Sequence, residues 1–174
     1  KPADAVVTGG APMPYPPQTG ALHYELELVV AIGKGGAFIP ASEALDHVWG
    51  YAVGIDMTRR DLQDAAKAAR RPWDLSKGFD GSAPIGEVMP AARIGHPSRG
   101  LIELKVNGEV RQSSDISQMI WNVPETIAAL SQSVRLEAGD MIFTGTPDGV
   151  GATHRGDRLE GRIAGVGALS VKIV

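Results

Sequence analysis

The stretch His23-Tyr24-Glu25-Leu26-Glu27-Leu28-Val29-Val30 decides the fold of this 174-residue chain. Side chains alternate between the two faces of a β-strand, so the pattern predicts a strand with one apolar and one polar face. The polar face carries His23, Glu25 and Glu27. The two glutamates are about 6.6 Å apart along the strand, at ~3.3 Å of rise per residue, and their side chains can lean toward one point. Two like charges this close favour a bound cation, and the alternative is a polar face that simply meets water. The apolar face carries Leu22, Tyr24, Leu26, Leu28, Val30 and Ile32.

The composition is typical of a globular domain that acts on small molecules. Hydrophobic residues make up 43% and charged residues 21%, and no apolar run approaches the ~20 residues that a membrane helix needs. The net charge of -3 gives no general attraction to nucleic acid or acidic lipid, so we expect no nucleic-acid or membrane partner. Zero cysteines exclude a thiolate nucleophile and agree with a reducing, cytoplasmic location.

Short elements are predicted on both sides of a second strand. Residues 2–19 contain five prolines and form an irregular lead-in. Pro40–Val48 is predicted to be a short helix with Ser42 as its N-cap. Trp49–Ile55 is predicted to be a buried strand, which delivers Asp56 to the strand end.

The segment after Asp56 predicts a helix that reaches Arg71, just before a proline. Thr58 and Asp61 have the [ST]-x-x-[DE] spacing of a capping box. One face of this helix is polar, and a face that meets solvent is its default interpretation. It carries Arg60, Gln63 and Lys67.

The second half of the chain predicts a hairpin, a helix and further strands. Leu101–Gln112 consists of two alternating runs around Asn107-Gly108, the pair that type I′ turns favour. Pro124 opens a helix with an apolar stripe, and Met141–Phe143 is a strand that runs into a loop over residues 144–149. We therefore predict one α+β domain of short strands, closed by a strand over Ala168–Val174.

Three carboxylates are delivered by the two predicted strands, namely Glu25, Glu27 and Asp56. A ligand set made only of oxygen suits Mg²⁺, Mn²⁺ or Ca²⁺ better than zinc. The residues alone thus leave two interpretations open, a site for a hard divalent cation and a polar face that meets water.

Five segments of the chain resemble, in order and spacing, the fumarylacetoacetate hydrolase family. Within it, Thr58–Gln63 and Gln118–Pro124 resemble the small fumarylpyruvate and acylpyruvate hydrolases in particular. The resemblance covers nearly the whole chain. The five segments are His23–Leu28, Gly50–Asp56, Arg60–Gln63, Val106–Gln112 and Gly139–Gly151.

The resemblance implies the family's fold, a mixed β-roll of short strands with flanking helices, assembled as a homodimer. Residues 1–174 would form a single catalytic domain of that kind. Glu25, Glu27 and Asp56 would hold Mg²⁺ or Mn²⁺. The general base would lie on an N-terminal lid segment upstream of Lys1.

The resemblance also assigns roles to other side chains. Arg60, Gln63 and Thr146 would bind substrate, and Lys77 would be catalytic, placing positive charge where an enolate develops. Lys77 is followed by a glycine where relatives usually carry serine. His23 either orients a metal ligand or is an ordinary hydrogen-bonded strand histidine.

The activity that the resemblance implies is metal-dependent hydrolysis of the C–C bond of an acylpyruvate. Fumarylpyruvate, split into fumarate and pyruvate during aromatic-acid breakdown of the gentisate type, is the expected diketo acid substrate, with other acyl groups such as maleyl left open. One alternative is oxaloacetate decarboxylation or keto-acid isomerisation on the same metal platform. Another is a non-catalytic domain that binds a metal or keto acid.

Overall fold

The computed structural model describes residues 1–174, and most of its regular structure is β-strand. In the first half of the chain the strands are β1 (Val6–Val7), β2 (Leu22–Tyr24), β3 (Leu26–Ile32), β4 (Val48–Ile55), β5 (Thr58–Arg59), β6 (Ala83–Pro84) and β7 (Met89–Pro90). In the second half they are β8 (Leu101–Val106), β9 (Glu109–Asp115), β10 (Met141–Phe143), β11 (Gly151–Thr153), β12 (Arg158–Ile163) and β13 (Gly167–Lys172).

The helices are few and short. The α-helices are α1 (Arg60–Ala68), α2 (Asp74–Lys77), α3 (Ala91–Ile94) and α4 (Val123–Ser133), and 3-10 turns cover Ala3–Ala5, Ala44–His47 and Ile116–Gln118. The α+β class predicted from the sequence is confirmed. None of the helices has the length and apolar character needed to cross a bilayer.

Two four-stranded antiparallel sheets enclose the main core. One has the strand order β10-β3-β4-β7, and the other has the order β13-β12-β8-β9. The core between them contains Leu26 and Val53 of the first sheet and Leu104 and Leu159 of the second. Gly161 of β12 lets the sheets approach, because a Cβ there would lie 2.5 Å from the Leu26 side chain. The predicted apolar face of the first strand is confirmed, since all six of its side chains belong to this core.

The strand predicted to be continuous is interrupted at Glu25. β2 belongs to a three-stranded sheet with β11 and β5, whereas β3 belongs to the first four-stranded sheet. Beyond Glu27 the second face of β3 is buried as well, because Val29 packs with Ala52 and Ile85. The change of sheet places Glu25 at the junction between two strands.

Two predicted elements of the second half are confirmed. β8 and β9 form the hairpin, and Asn107 and Gly108 have φ angles of 53° and 85°, as a type I′ turn requires. Helix α4 has a proline in its first turn. It begins with a capping box in which Asn122 and Glu125 bond to each other's backbone amides.

Two predicted features of the first half are wrong. Only a 3-10 turn forms within Pro40–Val48, because the backbone amides of Glu43, Ala44 and Asp46 bond to carbonyls three residues back, not four. Ser42 precedes this turn and does not cap it, since the N-cap position is Glu43 and its side chain makes no capping bond.

Thr58 and Asp61 do not form a capping box either. Thr58 is a buried residue of β5, and the N-cap of α1 is Arg59, whose side chain makes no capping bond. Asp61 instead accepts hydrogen bonds from Thr19 Oγ1 and the Gly20 amide.

Candidate metal and substrate site

The backbone brings the three predicted carboxylates together at one end of β3 and β4. Glu25 precedes β3, Glu27 is its second residue, and Asp56 directly follows β4. The strands are antiparallel, with Glu27 opposite Gly54, and the Asp56 amide donates a 2.8 Å hydrogen bond to the Glu25 carbonyl. One carboxylate oxygen from each residue lies within 4.8 Å of the others.

This cluster is buried, so the alternative of a polar face that meets water is wrong for the two glutamates. Glu25 and Glu27 are 8% and 3% exposed. Burial raises the pKa of Glu27 to about 8, and the negative charges of Asp56 and Glu25 act in the same direction. The structure therefore holds carboxylates at a spacing that is unfavourable unless positive charge lies among them.

Three cationic side chains supply positive charge at the edge of the cluster. Lys77 Nζ lies 2.7 Å from both Glu25 Oε2 and Asp56 Oδ2. Arg60 Nη2 lies 2.5 Å from Glu25 Oε1, and Lys1 Nζ lies 2.8 Å from Asp56 Oδ1. The three cations thus form ion pairs with Glu25 and Asp56, whereas Glu27 has none.

The contact of Lys1 with Asp56 was not predicted from the sequence. Its ammonium group is buried and donates to the carbonyl oxygens of Met57, at 2.8 Å, and of Lys77. Burial lowers its pKa, against the opposing effect of the Asp56 charge. No sequence pattern signals this role, because it depends on the lead-in segment returning to the end of α2.

Arg60 and Gln63 meet as their spacing predicts, but they do not form a solvated face. Arg60 Nη1 donates a 2.5 Å hydrogen bond to Gln63 Oε1, and Lys67 Nζ donates to the same oxygen at 3.3 Å. Gln63 is only 4% exposed. Arg60 therefore connects Gln63 to the carboxylate of Glu25.

His23 lies in β2, opposite Ala152 and Thr58 of the neighbouring strands. Burial and then the positive charge of Arg60 lower its pKa, so the imidazole is neutral at neutral pH. Thr58 Oγ1, and not His23, lies 3.3 Å from a Glu25 oxygen. A role for His23 in orienting a metal ligand stays a prediction.

The loop after β10 closes the other side of the cluster. The Gly145 amide donates a 2.8 Å hydrogen bond to Glu27 Oε2, and Thr144 Oγ1 donates to the Leu28 carbonyl. Thr146 follows and accepts a 2.8 Å hydrogen bond from Gln112 Nε2. Thr146 thus directly follows Gly145, the residue whose amide binds Glu27.

Two cavities lie near this site and share Phe143 in their linings. One, of about 730 Å³, is lined by Asp56 and Lys77 together with apolar side chains that include Trp73. The other, of about 710 Å³, is lined by Thr146 and neighbouring loop residues. Lys77 and Thr146 therefore line two different cavities that have Phe143 in common.

The residues present suit a hard divalent cation. All three candidate ligands are carboxylates, and oxygen ligands are those that Mg²⁺ and Mn²⁺ prefer. Asp56 Oδ1 is buried and accepts no hydrogen bond of acceptable geometry, although Lys1 Nζ lies close to it. The only charged partner of this oxygen is the Lys1 ammonium group, so a metal ion would share the oxygen with Lys1.

Comparisons with known proteins identify relatives of this chain. The chain is 44% identical over 173 residues to a fumarylpyruvate hydrolase of Ralstonia sp, covering 99% of this chain and 90% of that protein. It is 42% identical to the mitochondrial oxaloacetate tautomerase of Homo sapiens, covering 99% of this chain and 78% of that protein.

Among solved structures, the fumarylpyruvate hydrolase of Pseudomonas aeruginosa, in complex with Mn²⁺ and pyruvate, superposes with a TM-score of 0.98 at 56% identity. The superposition covers 100% of this chain and 76% of that one. The family model for the C-terminal region of fumarylacetoacetate (FAA) hydrolase matches residues 1–174. With the fold, the carboxylate cluster and these matches in agreement, the chain belongs to the fumarylacetoacetate hydrolase family.

Proposed function

We propose that this protein is a metal-dependent hydrolase that cleaves the C–C bond of an acylpyruvate, with fumarylpyruvate as its substrate. The observation that carries the proposal is the cluster of Glu25, Glu27 and Asp56 with the Lys77 ammonium 2.7 Å from two of its oxygens. The fumarylpyruvate hydrolases among its relatives, one of them with bound Mn²⁺ and pyruvate, support the choice of substrate.

Glu25, Glu27 and Asp56 would hold the cation, which we propose to be Mg²⁺ or Mn²⁺. When bound there, it supplies Lewis-acid chemistry beside the substrate's keto oxygen. Glu27 would hold the cation as an ionised carboxylate, because a ligating carboxyl group must be deprotonated. Arg60 holds Glu25 in place through the contact at Oε1.

Lys77 places its charge where the leaving pyruvate becomes an enolate. Its ammonium group is oriented by Glu25 and Asp56 before any substrate arrives, so little reorganisation is needed as the enolate charge develops. We propose that Arg60 and Gln63 bind the substrate on the α1 side and that Thr146 binds it on the loop side.

The charge balance of the site fits a dianionic substrate. The three carboxylates are matched by Lys1, Lys77 and Arg60, so the net charge with a metal bound is that of the divalent cation. Fumarylpyruvate carries a carboxylate at each end and therefore balances that charge. Local cations of this kind hold an anion although the whole chain is acidic.

The test is a pyruvate-release assay on chelator-treated protein before and after addition of Mn²⁺. We expect pyruvate from fumarylpyruvate only when the metal is present. No release from fumarylpyruvate in the presence of Mn²⁺ would contradict the proposal, and metal binding without turnover would indicate a non-catalytic domain.

A second candidate is keto–enol tautomerisation of oxaloacetate, favoured by the 42% identity to the human oxaloacetate tautomerase. Oxaloacetate assayed in parallel separates the two activities. Tautomerisation changes the enol absorbance and releases no pyruvate, whereas decarboxylation releases pyruvate and carbon dioxide. Residues 1–174 acting as one catalytic domain, homodimer assembly and a cytoplasmic location remain part of the same proposal.

A further inference from the structure

Gln112 is a fully buried polar side chain for which the proposed function has no role. It lies on β9 opposite Leu104, at a bulge where Arg111 is the extra residue between two registered pairs. All hydrogen bonds of its side chain are made with residues of the candidate site. Oε1 accepts from the Leu26 amide at 3.0 Å, and Nε2 donates at 2.8 Å to both Thr146 Oγ1 and the Pro147 carbonyl.

The orientation of this amide is fixed by two backbone groups, one of which can only donate a hydrogen bond and the other only accept one. The Leu26 N–H can only donate, so Oε1 of Gln112 must face it. The Pro147 carbonyl can only accept, so Nε2 must face the loop. A flipped amide would place two acceptors together at one end and two donors together at the other.

The fixed amide also fixes the hydroxyl of Thr146. A threonine hydroxyl has one proton to donate and lone pairs that accept. Because Nε2 of Gln112 donates to Thr146 Oγ1, the hydroxyl proton of Thr146 must point elsewhere. Thr146 lines the 710 Å³ cavity, so its proton is directed to whatever acceptor that cavity holds.

We propose that Gln112 is a positioning residue that makes Thr146 an obligate hydrogen-bond donor to the anionic ligand of this site. The inference rests on the proposed function, since it takes a keto-acid carboxylate or keto oxygen as the acceptor. The same amide holds the Leu26 N–H, which lies between Glu25 and Glu27 in the chain. Gln112 thus joins the metal ligands to the substrate loop.

The loop and the bulge are packed too closely for Thr146 to turn away with its loop. Gly149, at a φ of 98°, lies against the Arg111 carbonyl, where an added Cβ would come within 2.0 Å of the oxygen. Gly145 is held by Glu27 at the other end of the loop. The backbone on both sides of Thr146 is therefore held, and the bond from Gln112 acts on what remains free, the rotamer and hydroxyl proton of the Thr146 side chain.

The experiment measures pyruvate binding to the Mn²⁺-loaded protein by calorimetry. Gln112→Glu keeps an acceptor for Leu26 but puts an acceptor in place of the donor, so the Thr146 proton turns to it. We expect pyruvate to bind about 10-fold to 100-fold more weakly, the range for a lost hydrogen bond to a charged group. Thr146→Val should lose a similar amount of pyruvate affinity. Thr146→Ser, which keeps the hydroxyl, should bind pyruvate with an affinity within about threefold of the wild-type value.

Coupling between the two residues separates positioning from a general loss of structure. If Gln112 acts through Thr146, the double variant Gln112→Glu, Thr146→Val should bind pyruvate no more than about twofold more weakly than the weaker-binding single variant. Mn²⁺ affinity without pyruvate should change by less than about threefold in Gln112→Glu, because the Leu26 bond is kept. Gln132→Glu, the same change on the exposed face of α4, is the matched control and should bind pyruvate normally.

Fully additive losses, or unchanged pyruvate affinity in Gln112→Glu, would overturn the inference while leaving the proposed function in place. A wild-type protein that binds Mn²⁺ but no pyruvate would overturn both. If Gln112→Glu does not fold, neutron diffraction from the wild-type protein with Mn²⁺ and pyruvate decides. A Thr146 deuteron directed to the pyruvate supports the inference, and one directed to any protein atom overturns it.

Discussion

The backbone amide of Gly145 donates a 2.8 Å hydrogen bond to Oε2 of Glu27, although the two residues are 118 positions apart in the chain. This bond connects a candidate metal ligand on β3 to the loop that carries Thr146. Because Glu27 is almost completely buried, the bond lies in a region of low dielectric and is stronger than an exposed one. The metal site and the substrate loop are therefore a single structural unit.

Replacement of Lys77 by methionine tests the role of the ammonium group between Glu25 and Asp56. We expect turnover of fumarylpyruvate to fall by about 100-fold to 1000-fold, as for loss of one preorganised charge donor. Mn²⁺ affinity should be unchanged or tighter, because a positive charge beside the carboxylates is removed. Steady-state kinetics and a Mn²⁺ titration measure the two effects.

The matched control is Lys172→Met on the exposed side of β13, which should alter neither quantity. Full turnover in the Lys77 variant would remove this side chain from the mechanism. Loss of Mn²⁺ binding in that variant would mean that Lys77 organises the carboxylates and does not merely neutralise them.

Gly54→Ala tests the packing that supports the site from behind. A Cβ at Gly54 would lie 2.4 Å from Val29 Cγ2 and 2.9 Å from the Phe143 ring, inside the sheet and opposite Glu27. We expect the free energy of unfolding to fall by about 1–3 kcal/mol through overpacking. Urea unfolding followed by circular dichroism measures the change.

Gly20→Ala is the control for this substitution, since a Cβ there meets no atom within 4 Å. Its effect on unfolding should be close to neutral. If both variants unfold at the same urea concentration, the close packing around Gly54 does not contribute to stability as described.

Asp115 gives the fold a dependence on acid pH. Hydrogen bonds from the amides of Ser117 and Gly100, at 2.9 Å each, hold the pKa of its carboxyl below the ordinary value. A lowered folded-state pKa means that the stabilisation is complete above about pH 3.9, the unfolded value, and is lost as the pH falls further.

We therefore expect Asp115→Asn to lower the urea midpoint at pH 7, because an amide cannot accept both hydrogen bonds. The difference from the wild-type protein should shrink as the pH falls below about 3.9, because the unfolded chain takes up a proton there before the folded carboxyl does. A difference that stays constant from about pH 7 to about pH 3 would show that ionisation of Asp115 contributes nothing.

Local patterns predicted the parts of this fold that depend on neighbouring residues. The alternation around Glu25 and Glu27 predicted the strand, and Asn107-Gly108 predicted the hairpin turn, which has the required positive φ angles. The capping-box prediction failed because the side chains of Thr58 and Asp61 both make tertiary contacts in place of the capping hydrogen bonds. Thr58 faces Glu25, and Asp61 binds the segment that contains Thr19.

The part of the candidate site that lies on strands or at their ends was predictable from the sequence. Glu25, Glu27 and Asp56 follow from two strands and their ends, and the spacing of Arg60 and Gln63 follows from one helix. Lys1 and Gln112 were not found, because their contacts join segments at least 34 residues apart in the chain. Such contacts depend on how the sheets pack, which no local pattern specifies.

The most direct test of the central claim is a Mn²⁺ titration of chelator-treated protein in which free Mn²⁺ is measured by electron paramagnetic resonance. We predict one Mn²⁺ bound per wild-type chain. In Asp56→Asn, affinity should fall by more than about 100-fold, exceeding the 10-fold to 100-fold typical of groups that only support a ligand. The control Glu160→Gln, on the outer face of β12, should bind Mn²⁺ normally. Equal Mn²⁺ stoichiometry and affinity in the wild-type protein and Asp56→Asn would contradict the assignment of this cluster as the metal site.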